Sequence, residues 1–172
     1  AKLLRKGFLA EAALAGRPTA PKSLINEFKP QHYQAYYLQD LDDFAPFFKD
    51  LYAFCEAQGL PAKTLISEYS PGQMEIVLRH RADVLKACDE AIMLKRLIKA
   101  CAEKHGLAAT FMAKPYAEWT GSGMHVHVSL GDDQGHNLFT AEDPQKNALL
   151  MQAIGGLKAA MAESMLIFAP NA

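Results

Sequence analysis

Residues 121–130 read GSGMHVHVSL, with two histidines and a serine at alternate positions of an apolar run. Successive side chains of a β-strand point to opposite faces, so His125, His127 and Ser129 are predicted to share one face. The other face would pack on helices and consists of Met124, Val126, Val128 and Leu130. Because buried imidazoles and hydroxyls need polar partners, the histidine face is predicted to line a wet cleft or to bind a ligand.

A His-x-His pair alone is a weak signal, because such pairs also occur on ordinary solvated sheets. The preceding Gly121, Ser122 and Gly123 strengthen it, since glycines permit a tight turn and a close approach of a ligand to the backbone. Trp119, the only tryptophan, lies in the loop before this turn, where it either contacts a ligand or anchors the loop.

A second polar motif, EYSPGQME, places Glu68 and Glu75 on either side of a Pro-Gly turn. Both carboxylates would then lie near one edge of a sheet. Two carboxylates and an imidazole, completed by water and phosphate, form an oxygen-rich donor set that suits Mg²⁺ or Mn²⁺ better than a structural Zn²⁺. Two acidic residues around a turn are usually solvated charges, so the metal hypothesis depends on combining both motifs.

Other polar residues give weaker signals. Glu118 and His136 could act as acid or base, and Lys114 could bind phosphate, but surface polarity explains each of them. The chain contains no Ser/His/Asp or Cys/His arrangement with persuasive spacing and no P-loop. No catalytic residue is therefore assigned.

Composition limits the class of protein. The 172 residues suffice for one domain or a large part of a bigger one, and their 50% hydrophobic and 22% charged content is typical of soluble globular proteins. A net charge of −1 argues against nucleic acid or an anionic membrane as partner. The odd set of Cys55, Cys88 and Cys101 has no CxxC pair and predicts reduced core thiols in a cytoplasmic protein.

Hydrophobic periodicity predicts the helices. Apolar residues at three- and four-residue spacings indicate helices over 41–58, 82–105 and 144–166, and residues 1–16 are also interpreted as a helix. In the second of these helices the inward residues are predicted to be Val84, Cys88, Ala91, Ile92, Ile98 and Cys101.

Short β-favouring runs predict the strands. The runs 63–68 and 74–79 flank the Pro-Gly turn and indicate a hairpin. Further strands are predicted at 107–114 and 124–131, with a turn at 132–137. Strands separated by long helices, with at least one hairpin, predict an α+β fold whose sheet is covered by helices on one face.

Three motifs together resemble a known family. EYSPGQMEI at 68–76, ATFMAKP at 109–115 and GSGMHVHVSL at 121–130 are similar, in order and spacing, to motifs of the glutamine synthetase superfamily catalytic domain. The resemblance extends over residues 35–172 and is closest to the γ-glutamylpolyamine (glutamylputrescine) synthetase-like branch. It implies an ATP-dependent ligase that joins the γ-carboxylate of glutamate to ammonia or a polyamine such as putrescine, through a γ-glutamyl phosphate.

The resemblance also implies an architecture, an antiparallel, open barrel-like sheet covered by helices. Residues 1–172 would be an incomplete catalytic domain, with an N-terminal helix and loop at 1–30 and a motif-bearing part at 31–172. The family's N-terminal β-grasp domain and the C-terminal part of its catalytic domain would lie outside this sequence. Full-length members form homo-oligomeric rings, which we expect here as well.

Site residues are carried over from the family motif by motif. Glutamate, ATP and the amine would be the ligands, with Mg²⁺ or Mn²⁺ as cofactor. The matching positions are Glu68 and Glu75 for one cation, His125 for a second, His127 and Ser129 for the nucleotide, and Gly121 for glutamate.

Several departures from the family pattern leave alternatives open. The family's Glu-x-Glu strand near the start of the domain compares with FLAEAALAGRP, which has Glu11 but Ala13, so we expect that strand to be absent or shortened. Thr120 stands where ammonia-using members commonly have Asn. The chain alone is expected to be inactive. A non-catalytic assembly or regulatory protein is the alternative, and a metal-dependent hydrolase, lacking a convincing fourth ligand, is a weaker third hypothesis.

Overall fold

A computed structural model describes residues 2–11, 41–42, 44–70, 72–117 and 120–168, the first of these ranges as backbone only. The chain divides into two compact units, Ala1–His127 and Val128–Ala172, each described here by itself. Within the described residues, the elements of the first unit are β1 (Lys2–Glu11), α1 (Ala45–Ala57), β2 (Ala62–Ser67), β3 (Gln73–Leu78), α2 (Val84–Lys104), β4 (Leu107–Thr110) and β5 (Met124–His127).

The five strands form one antiparallel sheet in which β1 is central. The strand order is β2-β3-β1-β4, and β5 also pairs with β1. One edge of β1 pairs with β3, whereas its other edge pairs with β4 through Phe8–Glu11 and with β5 through Lys2–Arg5. The sheet is open, and the predicted α+β class with helices on one face is confirmed.

The helix predicted for residues 1–16 is wrong, because Lys2–Glu11 form β1. β1 includes Phe8–Glu11 of the stretch FLAEAALAGRP that compares with the family's Glu-x-Glu strand, so this strand is not absent, and the rest of the stretch lies outside the described residues. Ala, Leu and Lys are among the residues most favourable in helices, but intrinsic propensity is small per residue and tertiary pairing overrides it. Here β3 on one side and β4 and β5 on the other supply backbone partners to both edges of the segment.

The predicted hairpin is confirmed as β2 and β3, and it carries the core. All six residues of β3 are buried. Met74, Ile76 and Leu78 belong to the hydrophobic cluster with α1 and α2, so Gln73 and Glu75 lie on the opposite face of the sheet. That second face is the one that holds the candidate site.

Helix α1 buries the stripe that its periodicity predicts. Phe47, Phe48, Leu51 and Cys55 are buried in the core. The helix is followed by Gly59, whose φ of 65° lies in the left-handed region that favours glycine after a helix C-terminus. Leu60 donates its N–H to the carbonyl of Cys55 at 2.8 Å, which completes the helix end before β2 begins.

Helix α2 buries a different face from the predicted one. Ala91, Ile98 and Cys101 are inward, whereas the other three residues predicted inward, Val84, Cys88 and Ile92, are exposed. The full buried set is Ala87, Glu90, Ala91, Leu94, Leu97, Ile98, Cys101 and Ala102. The buried face thus includes a carboxylate.

Glu90 tolerates this position because Arg81 pairs with it. The Arg81 Nε donates to both Glu90 oxygens at 2.9 and 3.0 Å, and an Arg81 terminal nitrogen lies 2.7 Å from one of them. A bidentate guanidinium–carboxylate pair satisfies the charge that burial would otherwise penalise.

The three cysteines are free, as predicted. Cys55 and Cys101 are buried, and burial raises the pKa of the Cys55 thiol to about 11. Cys88 is exposed, so the prediction of a core position is wrong for this residue.

The second unit contains a turn and a long helix. Gly131 and Asn137 form a bridge, and Leu138 donates its N–H to the carbonyl of Leu130 at 2.7 Å, so the predicted turn between them is confirmed. A 3₁₀ turn at Pro144–Lys146 precedes α3, Ala148–Phe168. None of the helices in the described part of the chain combines the length and apolar character needed to cross a bilayer.

The observed face of α2 gives a paired stability prediction. Leu94 is 2% exposed and Ile92 is 61% exposed on the same helix. Leu94→Ala should lower the free energy of unfolding by about 2–5 kcal/mol because it leaves a cavity. Ile92→Ala should change it by less than about 0.5 kcal/mol, as expected for a surface position. Urea unfolding measures both, and equal losses would contradict the assigned face.

Candidate active site

Strand register places the two predicted metal motifs on one face of the sheet. Position 6 of β1 lies opposite Glu75, and position 4 lies opposite His125. Directly opposed residues of an antiparallel pair share a face, as do alternate residues of one strand. Glu75 and His125 therefore lie on the same face, which is the face turned away from the helices.

Glu68 joins this face because the β2–β3 ladder continues past the end of β2. Ser67 pairs with Met74, and the Glu68 N–H donates to the Gln73 carbonyl at 2.7 Å. Glu68 is thus opposite Gln73 and diagonal to Glu75. The Cα atoms of such diagonal residues are about 7–8 Å apart in antiparallel pairs. Glu75 is 6% exposed and Glu68 is half-buried. Two carboxylates so placed can reach toward a common cation.

The face does not gather all three predicted ligands around one point. Glu75 and His125 are separated by β1 and offset by two residues, which corresponds to about 12 Å between their Cα atoms. Among the described residues, no group of three or more His, Cys, Asp or Glu side chains is close enough to hold one ion. The spacing is compatible with one ion near the glutamates and another near His125, and these ligands stay a prediction.

β1 supplies no assigned ligand to the candidate site. Position 11, the glutamate compared with the family's Glu-x-Glu pair, lies opposite Leu107 in the backbone register. Position 13, where the sequence has alanine instead of a second glutamate, lies outside the described residues.

The histidine strand is shorter than predicted. β5 ends at His127, and Ser129 lies beyond it in the second unit, so a continuous strand through residue 131 is wrong. The rings of His125 and His127 are exposed, with centroids 4.8 Å apart and planes tilted by 31°. Met124 and Val126 are also exposed, because the described helices cover β2, β3 and β4 but not β5. The nucleotide roles of His127 and Ser129 stay predictions.

A hydrogen-bond network connects the hairpin turn to the glycine motif, and sequence reasoning missed it. The Thr120 N–H donates to the Ser70 hydroxyl at 3.1 Å, and the Thr120 hydroxyl donates to the Gln73 Oε1 at 2.8 Å. The Gln73 Nε2 donates to the Gly121 carbonyl at 3.1 Å. These contacts position the predicted substrate-binding glycine beside the turn that carries Glu68.

Gly121 is required by its own backbone neighbours. A Cβ at this position would lie 2.9 Å from the Ala113 carbonyl oxygen, closer than real Cβ contacts allow. The next residue, Ser122, donates its N–H to that same oxygen at 2.7 Å. The close approach expected at the glycines is therefore observed between two stretches of this chain. At Gly123, in contrast, a Cβ would meet nothing within 4 Å.

The weaker candidates have other roles or lie outside the described residues. One oxygen of Asp132 accepts a hydrogen bond from the His136 backbone N–H at 2.8 Å, and its other oxygen lies 3.0 Å from the His136 Nδ1. These hydrogen bonds, the backbone one first, hold the pKa of Asp132 below its usual range. His136 therefore stabilises a turn. Glu118 and Trp119 lie outside the described residues.

The crowding at Gly121 predicts a difference between the two glycines. Gly121→Ala should lower the free energy of unfolding by about 1–3 kcal/mol, because the added methyl group forces the backbones apart. Gly123→Ala should change it by no more than about 0.5 kcal/mol, because its methyl group meets no neighbour. Thermal or urea unfolding of both variants checks this, and a harmless Gly121→Ala would contradict the observed packing.

Comparison with known proteins identifies relatives of this chain. The family model for the glutamine synthetase catalytic domain matches residues 9–172. Gamma-glutamylputrescine synthetase PuuA of Escherichia coli (strain K12) is 43% identical over 138 residues, covering 80% of this chain and 29% of the relative. A glutamate–isopropylamine ligase of a Pseudomonas species is 43% identical over 117 residues, covering 66% of this chain and 25% of the relative.

Solved structures agree with the sequence matches. A structure described as a GmaS/ADP complex superposes with a TM-score of 0.65 and 27% identity, over 83% of this chain and 32% of that one. The chain thus spans less than a third of the length of these relatives.

Proposed function

Because the chain belongs to the glutamine synthetase catalytic-domain family, we propose that the protein containing it is an ATP-dependent ligase that joins the γ-carboxylate of glutamate to an amine. The observation that carries this proposal is the common sheet face of Glu68, Glu75 and His125. Two relatives named as ligases of glutamate with putrescine or isopropylamine support an alkylamine or a polyamine as acceptor. Ammonia is the other candidate.

The proposed reaction has two steps. A γ-carboxylate oxygen of glutamate attacks the γ-phosphorus of ATP, ADP leaves, and a γ-glutamyl phosphate forms. The amine nitrogen then attacks the acyl carbon, the carbon–oxygen bond to phosphate breaks, and phosphate leaves as the nitrogen loses a proton. Mg²⁺ or Mn²⁺, when bound, supplies positive charge that offsets the charge of the phosphoryl oxygens.

The chain's own residues would bind and orient the reactants. The Glu68 and Glu75 carboxylates are hard oxygen donors of the kind that Mg²⁺ and Mn²⁺ prefer, and the His125 imidazole suits Mn²⁺ as well. His127 is proposed to contact the nucleotide, consistent with the ADP complex of a solved relative. Gly121 is proposed to contact glutamate, and Ser129 the nucleotide.

We expect the 172-residue chain to be inactive by itself. It spans only 29% and 25% of the length of two relatives, and we propose that residues outside the given sequence complete the site. Fixed positive groups that stabilise a transferring phosphoryl contribute much of the catalysis, and no such group is among the predicted site residues of this chain. Ring-forming homo-oligomers and a cytoplasmic location are proposed for the full-length protein.

The proposal predicts glutamate- and amine-dependent ADP formation by the full-length protein that contains this chain. With ATP and Mg²⁺ or Mn²⁺, putrescine, isopropylamine and ammonia are supplied in parallel, and ADP is measured by a coupled assay. At least one amine should increase ADP release well above the rate with glutamate alone. Absence of glutamate-dependent ADP with every amine would reject the ligase.

One observation favours a second candidate, a non-catalytic assembly or regulatory protein. The sequence has Ala13 where the second glutamate of the family's Glu-x-Glu pair would fall, which weakens the donor set. Titration calorimetry of the full-length protein with Mn²⁺ and with ATP separates the two candidates. The ligase predicts binding of both ligands that weakens about tenfold or more in Glu75→Gln, but not in Glu103→Gln on the exposed side of α2. A stable oligomer that binds neither ligand would favour the second candidate.

A further inference from the structure

The strongest unassigned feature on the site face is the buried amide of Gln73. Its residue is only 1% exposed, at the start of β3 and directly beside the turn. A buried primary amide needs partners for its donors and its acceptor oxygen. Gln73 therefore either satisfies a purely local turn or connects separate parts of the chain.

Its hydrogen bonds connect separate parts of the chain. Oε1 accepts the Ser70 N–H at 3.2 Å within the turn and the Thr120 hydroxyl at 2.8 Å across 47 residues of sequence. Nε2 donates to the Gly121 carbonyl at 3.1 Å. The Ser70 and Thr120 hydroxyls also bond to each other, and because Thr120 donates to Gln73, Ser70 is the donor of that pair.

The result is one peptide group held from both ends. The Gly121 carbonyl accepts from Gln73, and the N–H of the same peptide unit, on Ser122, donates to Ala113 at 2.7 Å. Peptide groups are planar, so fixing both atoms fixes the orientation of the whole unit. The Thr120 N–H is fixed separately by the Ser70 hydroxyl.

We propose that Gln73 is a positioning residue, which holds the Gly121 backbone in the orientation that binds the amino-acid substrate. The substrate role of Gly121 rests on the proposed function. Gln73 belongs to the hairpin that carries Glu68 and Glu75, so its bond to Gly121 also fixes the distance between the substrate segment and the acidic residues. Small displacements of substrate-positioning groups cost large factors in rate or binding.

Thr120 gains a structural role from the same network. Its hydroxyl and N–H are both used by the hairpin turn, through Gln73 and Ser70. Thr120 stands where ammonia-using members of the family commonly have Asn, and its hydroxyl fits between Ser70 and Gln73. Removing this hydroxyl leaves the Gln73 bond to Gly121 in place, which separates the two contributions experimentally.

Kinetics of the full-length protein test the proposal. Gln73→Glu keeps an acceptor for Ser70 and Thr120 but replaces the donor to Gly121 with a carboxylate oxygen, and Gln73→Met removes all three bonds. Both variants should raise the KM for glutamate about tenfold or more while the KM for ATP stays within about twofold. Thr120→Val should have a smaller effect.

A control variant distinguishes positioning from loss of stability. Leu78 is buried at the far end of the same strand, on the opposite face, where it packs in the hydrophobic core with α1 and α2. Leu78→Ala should lower stability yet leave the glutamate KM unchanged. If Leu78→Ala raises this KM as much as Gln73→Met does, or if Gln73→Glu and Gln73→Met have wild-type values, the positioning role is wrong.

Amide hydrogen exchange provides a readout that needs no activity. The Ser122 amide should exchange faster in Gln73→Glu and Gln73→Met than in the wild type, because its peptide unit is released at the carbonyl end. Leu78→Ala should not produce this local change. If the wild-type protein forms no ADP but the Gln73 variants exchange Ser122 faster, the ligase is rejected and the orienting role of Gln73 is retained. If the protein is an active ligase but Ser122 exchange is the same in the Gln73 variants, the positioning role alone is rejected.

Discussion

Backbone pairing of β1 is the constraint on which the candidate site depends. This strand pairs with β3 along one edge and with both β4 and β5 along the other, so it joins the hairpin to the histidine strand within the described sheet. Antiparallel register then decides which residues share a face. A shift of one residue in either ladder would turn Glu75 or His125 toward the helices. The common face is therefore a property of the whole sheet, and neither motif specifies it alone.

The hairpin turn supplies the second constraint, because it orders a segment far away in sequence. Gln73 lies 48 residues before Gly121, yet its amide fixes the carbonyl of that glycine. The Ala113 carbonyl limits the same segment from another direction and excludes any side chain at Gly121. The hairpin turn and the segment around Gly121, neither of which has regular secondary structure, are thus held in one fixed arrangement. Such preorganisation is what substrate binding requires of a loop.

Local features of this chain were predictable, whereas features that depend on distant partners were not. The hairpin follows from a Pro-Gly turn between β-favouring runs, and the buried stripe of α1 follows from its spacing. Residues 1–16 have ordinary helical composition, and only pairing with distant strands makes Lys2–Glu11 a strand. The predicted inward face of α2 is wrong because apolar residues lie on both the buried and the exposed face of this helix, and because Arg81 allows Glu90 to be buried. The Gln73 network joins motifs whose proximity no spacing rule reveals.

The central claim is that Glu68, Glu75 and His125 serve divalent ions on one sheet face. Crystals of the full-length protein grown with Mn²⁺ and ATP test it most directly, because manganese is located by its anomalous scattering. We expect one peak beside the carboxylates of Glu68 and Glu75 and a second beside the His125 imidazole, each at about 2.0–2.3 Å from its ligand atoms. Manganese bound only elsewhere, with these three side chains uncoordinated, would contradict it.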